Sequence, residues 1–145
     1  MTDPNMTNMT EKIKQVLIVR RNYYDKNGQK FGMRLGKIVA QACHASNGAA
    51  FLFNGVYYDE KLRVPIKQTE EEWYFEKYTK ATVQVKEEAE LFDIRDKAKA
   101  ANLPYFLVCD EGVTEFNGIP TYTVLAIGPA LASEIDKITG HLELL

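Results

Sequence analysis

Apolar positions along the chain fall into short unbroken runs separated by stretches with helical spacing. Gln15-Val16-Leu17-Ile18-Val19-Arg20 is such a run, the pattern of a central strand covered on both faces. Thr82-Val83-Gln84-Val85, Tyr105-Phe106-Leu107-Val108-Cys109 and Thr121-Tyr122-Thr123-Val124-Leu125-Ala126-Ile127 predict three more strands. Between the first two, about Leu35 to Phe53 predicts a helix with Ile38, Ala42, Ala45, Ala49 and Leu52 on its buried stripe. Asn54-Gly55 supplies its left-handed end. Glu87 to Ala101 predicts another, with Glu87, Glu88 and Glu90 at its positive end and Leu91, Ile94, Ala98 and Ala101 as its apolar stripe. Glu70 to Tyr78 suits a short helix, and Ala130 to Ile138 a last one stopped by Gly140. Asn22 to Gly32 and Val56 to Gln68 read as irregular, and Gly128-Pro129 is expected to end the fourth strand. The order β-α-β-α-β-β-α predicts an α/β protein, a sheet with helices on both faces.

Within the first helix lies the most chemically suggestive segment, Gly36-Lys37-Ile38-Val39-Ala40-Gln41-Ala42-Cys43-His44-Ala45. Lys37, Gln41 and His44 are spaced by four and three, which puts them within about 60° of one another on a helix. A cation, an amide and an imidazole thus share one stripe, either a site wall or a solvated polar face. The Asp110-Glu111-Gly112 loop leaves the carboxyl end of a predicted strand, where ligands collect in α/β sheets. If the first and third strands are parallel neighbours, Lys37 comes close to Asp110.

Composition narrows the class. The chain has 145 residues, enough for one ordinary domain, with 46% apolar and 26% charged residues. No apolar run reaches membrane-spanning length and no signal-peptide pattern opens the chain, so a cytoplasmic protein is expected. Met1 to Thr10 reads as a disordered tail ahead of one domain over 11–145. Cys43 and Cys109 form no C-x-x-C pair and suit two buried, reduced thiols. Two histidines without a Cys/His cluster argue against structural zinc. The net charge of −2 hides an asymmetry. Lys12 to Lys37 holds eight basic residues against the single acid Asp25, a local +7, leaving −9 on the rest. A basic segment beside a polar helix suits a phosphate-rich partner, with Arg20, Lys26, Lys30 and Arg34 as candidate contacts.

The first-helix segment, Asp110-Glu111-Gly112-Val113-Thr114, and Thr123-Val124-Leu125-Ala126-Ile127-Gly128-Pro129 running on through Ile135-Asp136-Lys137-Ile138-Thr139-Gly140-His141-Leu142 resemble, in order and spacing, the type 2 peptidyl-tRNA hydrolases. The resemblance covers most of Gln15 to Leu145. It implies a three-layer α/β/α sandwich around a mixed, mostly parallel four-stranded sheet, often dimeric. It also implies hydrolysis of the ester joining a peptide to the 3′-terminal ribose of tRNA, with no organic cofactor and no metal. Its site residues fall on Lys37, Gln41, His44, Asp110, Thr114 and Thr123. In chemical terms, Asp110 would orient or deprotonate water, directly or through His44. Lys37 would hold Asp110 ionised or stabilise developing charge, and Gln41, Thr114 and Thr123 would position water or ribose. The Gly112 loop would offer backbone N–H groups to the substrate.

The chain departs from the family pattern where Asp110 is followed by Ala, Gly, Arg, Thr and Gln. Glu111, Val113 and Glu115 stand in place of the alanine, arginine and glutamine, and Leu35 in place of a basic residue. Relative to that pattern, two negative charges are added and a phosphate contact would be lost, so weaker tRNA binding is expected. An extra residue around Asn117-Gly118-Ile119-Pro120 threatens to displace Thr123. Insertions at about Tyr23 to Phe31 and Asn54 to Thr69 enlarge the surface. The first brings Lys26 and Lys30. The second, with Tyr57, Tyr58, Trp73 and Tyr74, suits a satellite core, a lid, a dimer surface or a stacking platform. Two alternatives therefore stand beside the hydrolase: the same scaffold acting on another acyl ester or amide, and a non-catalytic module binding RNA or protein.

Overall fold

The computed structural model describes residues 12–52, 68–113 and 115–145. Four strands form the main sheet: β1 (Ile13–Arg20), β4 (Lys80–Val85), β5 (Tyr105–Asp110) and β6 (Thr121–Leu131), in the spatial order β4-β1-β6-β5. A separate hairpin joins β2 (Tyr23–Tyr24) to β3 (Lys30–Phe31). The helices are α1 (Leu35–Asn47), continued by a wider π-type turn over Gly48–Leu52, then α2 (Gln68–Phe75), α3 (Glu88–Ala100) and α4 (Ala132–Thr139).

Strand β1 shows why the sheet is buried on both sides. Val16 and Ile18 face a core shared with Leu91, Ile94 and Ala98 of α3 and Ile135 and Ile138 of α4. Leu17 and Val19 face the opposite core, closed by Ala45 of α1 and by Ala49. Alternate residues of one apolar run thus feed two helical layers, as the uninterrupted pattern requires. Gly48 allows the close approach of α1, because a Cβ there would fall 2.3 Å from the Phe106 ring.

The α/β class and the mixed four-stranded sheet are as expected, but the mostly parallel share needs correcting. Only β1 and β4 pair in parallel, whereas β6 is antiparallel to both β1 and β5. The physical cause is the connection. Between β5 and β6 lies a loop without a crossover helix, so the chain reverses and lies beside itself antiparallel. Strands β1 and β5 still point the same way but are not neighbours, since β6 lies between them.

Gly128-Pro129 does not end β6 either. The strand continues to Leu131, and Gly128 and Pro129 bulge opposite Gln15, between the pairs Val16–Ile127 and Lys14–Ala130. Gly128 has φ +102, and a Cβ there would meet the Lys14 carbonyl at 2.6 Å. Buried Gln15 fastens this bulge to the first helix. Its Nε2 donates to the carbonyls of Ser46 (3.0 Å) and Gly128 (3.2 Å), and the Ser46 hydroxyl donates back to its Oε1.

The first insertion is the β2–β3 hairpin. Tyr23, Met33 and Phe116 form a small third core with Phe31 packed against it, tying the hairpin to the loop after β5. Of the second insertion, Tyr57 and Tyr58 lie outside the described residues, as do Asn54-Gly55 and the tail at 1–10. Trp73 is buried, donates to the Thr79 carbonyl at 2.7 Å and stacks with Tyr78, which supports the satellite-core expectation. The cysteines overturn theirs: both Cys43 and Cys109 are exposed.

Candidate active site

The polar stripe of α1 meets the carboxyl end of β5. Lys37 Nζ lies 2.9 Å from Asp110 Oδ1, with both side chains mostly shielded from solvent. One turn further along α1, Gln41 Nε2 donates to the same oxygen at 3.3 Å. The other carboxylate oxygen accepts the Gly112 backbone N–H at 2.9 Å. Gly112 has φ +84, and a Cβ would strike the Ile119 backbone at 2.3 Å, so the sharp turn that aims this N–H requires glycine. Burial alone would raise the Asp110 pKa. The Lys37 ammonium, the Gly112 N–H and the Gln41 amide outweigh it and hold the carboxyl below its ordinary value.

Gln41 is itself held from beneath. The Thr123 hydroxyl, fully buried on β6, donates to Gln41 Oε1 at 2.5 Å. A hydroxyl donor on the amide oxygen leaves the NH₂ group to face Asp110. The extra residue in the β5–β6 loop has therefore not pulled Thr123 away from the site. It lies behind Gln41, however, rather than on the open surface.

A cavity of about 340 Å³ opens over this arrangement, lined by Lys37, Gln41, His44, Val108, Cys109, Asp110, Glu111 and Val113. His44 stands on its rim, exposed, one turn from Gln41. Thr114 lies outside the described residues.

The expected phosphate contacts divide. Lys26 and Lys30 are exposed on the hairpin. Arg34 is exposed at the start of α1 and pairs with Glu115, Nε to Oε1 at 2.7 Å. Arg20 is a correction, because its guanidinium is buried and already spent. It donates to the Asn22 carbonyl (2.8 Å), Glu88 Oε2 (3.0 Å) and the Tyr122 carbonyl (3.2 Å), and lies 4.4 Å over the Tyr23 ring. Gly112 points its N–H at Asp110 rather than toward a ligand. Sequence reasoning missed the Arg34–Glu115 pair, the Gln15–Ser46 peg and the place of Cys109 in the cavity. The first two join residues far apart in the chain, for which one sequence gives no signal. Among the described residues, no three His, Cys, Asp or Glu side chains gather as a metal site would require.

A carboxylate, an ammonium and an oriented amide joined at the mouth of a cavity, with an imidazole on the rim, form a polar hydrolase-type centre on an α/β/α sheet. The family model for peptidyl-tRNA hydrolase PTH2 matches residues 13–145, and the chain belongs to that family. It is 38% identical over 133 residues to the peptidyl-tRNA hydrolase of Methanocaldococcus jannaschii, covering 92% of this chain and all of that one. It is 38% identical over 132 residues to the peptidyl-tRNA hydrolase of Methanopyrus kandleri, covering 91% of this chain and 97% of that one. A probable peptidyl-tRNA hydrolase 2 of Dictyostelium discoideum is 37% identical over 133 residues, covering 90% of this chain and 54% of that longer protein.

Proposed function

We propose that this chain hydrolyses the ester between a peptide, or an N-acyl-aminoacyl group, and the 3′-terminal ribose of tRNA, releasing free tRNA. Family membership and the names of the relatives supply the substrate class. One observation carries the hydrolytic role: the Asp110 carboxylate, gripped by Lys37, Gln41 and the Gly112 N–H at the cavity wall. A role in translation supports a cytoplasmic location, and no helix among the described residues is long and apolar enough to cross a membrane.

The mechanism follows from the division of labour in the site. A carboxylate held below its ordinary pKa keeps its charge at neutral pH but is a weak base. Asp110 therefore orients the attacking water and anchors Lys37. His44 on the rim takes the proton as the water oxygen bonds to the ester carbon. The Lys37 ammonium and the Gln41 amide lie where they can stabilise the oxyanion that forms. When the carbon–oxygen bond breaks, the imidazolium returns its proton to the departing 3′-oxygen. The products are a peptide acid and a tRNA with a free 3′-hydroxyl. Exposed Lys26 and Lys30 supply phosphate contacts.

The test is release of the acyl-amino acid from N-acetyl-aminoacyl-tRNA at low salt. Asp110→Asn and His44→Ala are each expected to slow turnover by about 100-fold or more. Wild-type protein that is folded yet leaves the ester intact overturns the reading. Glu111 and Val113 at the cavity wall would then favour a different acyl ester.

A further inference from the structure

The Arg34–Glu115 pair is unusual in how its two ends are placed. Glu115 has a side chain only 10% exposed, whereas Arg34 is 81% exposed. Arg34 is the residue from which α1 starts, one turn before Lys37, and its carbonyl accepts the Ile38 N–H. Glu115 lies in the loop that carries Asp110 and Gly112. The pair thus joins the two elements that build the site. Only Nε of Arg34 is engaged among the described residues, while its guanidinium looks out to solvent. A planar guanidinium suits phosphate oxygens as well as carboxylate oxygens. The Arg34 end of the pair is open, so an incoming anion can reach the guanidinium, and releasing the mostly buried Glu115 carboxylate is the cost that the exchange must meet.

We propose that Glu115 is an internal stand-in for a substrate phosphate on Arg34: the carboxylate holds the guanidinium in the free protein, and a phosphate of the tRNA acceptor end displaces it on binding. This rests on the tRNA reading above and adds what sets its affinity. The neighbouring electrostatics agree. Val113 is exposed and uncharged, so the loop offers no cation of its own at that position, and Glu111 adds a negative charge at the cavity wall. Arg34 is then the cation nearest Lys37 along the chain, and the strength of its phosphate contact is set by competition with Glu115. The chain would bind tRNA less tightly than its exposed basic residues suggest, with Glu115 as the residue that limits it.

The experiment is tRNA binding by the full chain, followed by fluorescence anisotropy across a salt series without turnover. Glu115→Gln is expected to tighten binding on the order of fivefold. Arg34→Gln is expected to weaken it and to lower the salt slope by about one. In the Arg34→Gln background, most of the gain from Glu115→Gln should disappear. A purely structural latch predicts that both single variants weaken binding, and that result overturns the proposal. So does a gain from Glu115→Gln that persists in full without Arg34, since it would mean general repulsion rather than exchange. The unmodified chain gives a second readout, the Arg34 Nε–H resonance by NMR. It should move when deacylated tRNA saturates the protein, and an unmoved resonance under saturation overturns the exchange. Wild-type protein that neither binds tRNA nor hydrolyses its ester refutes the functional reading instead, so the two failures are separable.

Discussion

Thr123 shows how a fully buried residue can set the orientation of one that lines the cavity. Its hydroxyl fixes which end of the Gln41 amide faces Asp110. Thr123→Val keeps the shape and removes the donor, leaving a buried carbonyl oxygen unsatisfied at a cost of about 1–3 kcal/mol. The amide then loses the contact that fixed its orientation and held its NH₂ group toward Asp110. Turnover should fall by about tenfold or more, and Thr123→Ser should restore it. If valine and serine behave alike in kcat, the hydroxyl has no positioning role. Asp110 gives a complementary prediction in pH. Its folded-state pKa is depressed, so its contribution to stability is present above the unfolded carboxylate range, about 4, and is lost as acid protonates the folded form. Urea denaturation should therefore show wild type more stable than Asp110→Asn near neutrality, with the gap closing as pH falls below about 4. At this scale the sequence revealed side chains through their spacing. Lys37 and Gln41 were visible because a helix has a fixed period, and Asp110 because it ends an apolar run. Thr123 carried no such mark inside its strand and came only from the family resemblance. Arg20 was misjudged because its charge is legible in sequence but its partners, Glu88 and Tyr122, are not.

Helix α3 is the clearest case of local encoding. The Glu90 carboxylate accepts the backbone N–H groups of Glu87 (3.1 Å) and Lys86 (3.2 Å), satisfying donors just ahead of the helix. Glu87 reaches the other way, accepting from Asn22 (2.9 Å) and Tyr24 (2.8 Å) and so anchoring the β2–β3 hairpin. Those two donors hold the Glu87 carboxyl below its usual range. Glu90→Ala should cost about 1 kcal/mol in chemical denaturation, with little effect on turnover because the helix start lies outside the cavity over Asp110. Acidic residues at this helix start were plain in the sequence, since they answer to a local dipole. The bulge in β6 was not. Gly128-Pro129 reads as a breaker in isolation, and only the pairing with Gln15 across the sheet shows that the strand absorbs it.

Across the whole molecule, the basic segment is less available than its net charge suggests. Of its eight cations, Lys14, Arg20, Arg34 and Lys37 are paired with Asp136, Glu88, Glu115 and Asp110. The acids of the remaining chain fold back onto it. Charge counting along a sequence therefore overstated the free positive surface, because neutralisation is a tertiary event. Sheet order was hidden for a related reason: insertion of β6 between β1 and β5 depends on which edge a returning strand chooses. The two accessible thiols, finally, turn the folded chain into its own reporter. Cys109 lines the cavity, whereas Cys43 is exposed on α1 and is not part of that lining. A small alkylating reagent should modify both in the free protein. A short acylated oligonucleotide, bound to the Asp110→Asn variant to prevent turnover, should slow alkylation at Cys109 while Cys43 continues to react. Peptide mass mapping of the two sites would then trace the footprint of the substrate with no label introduced.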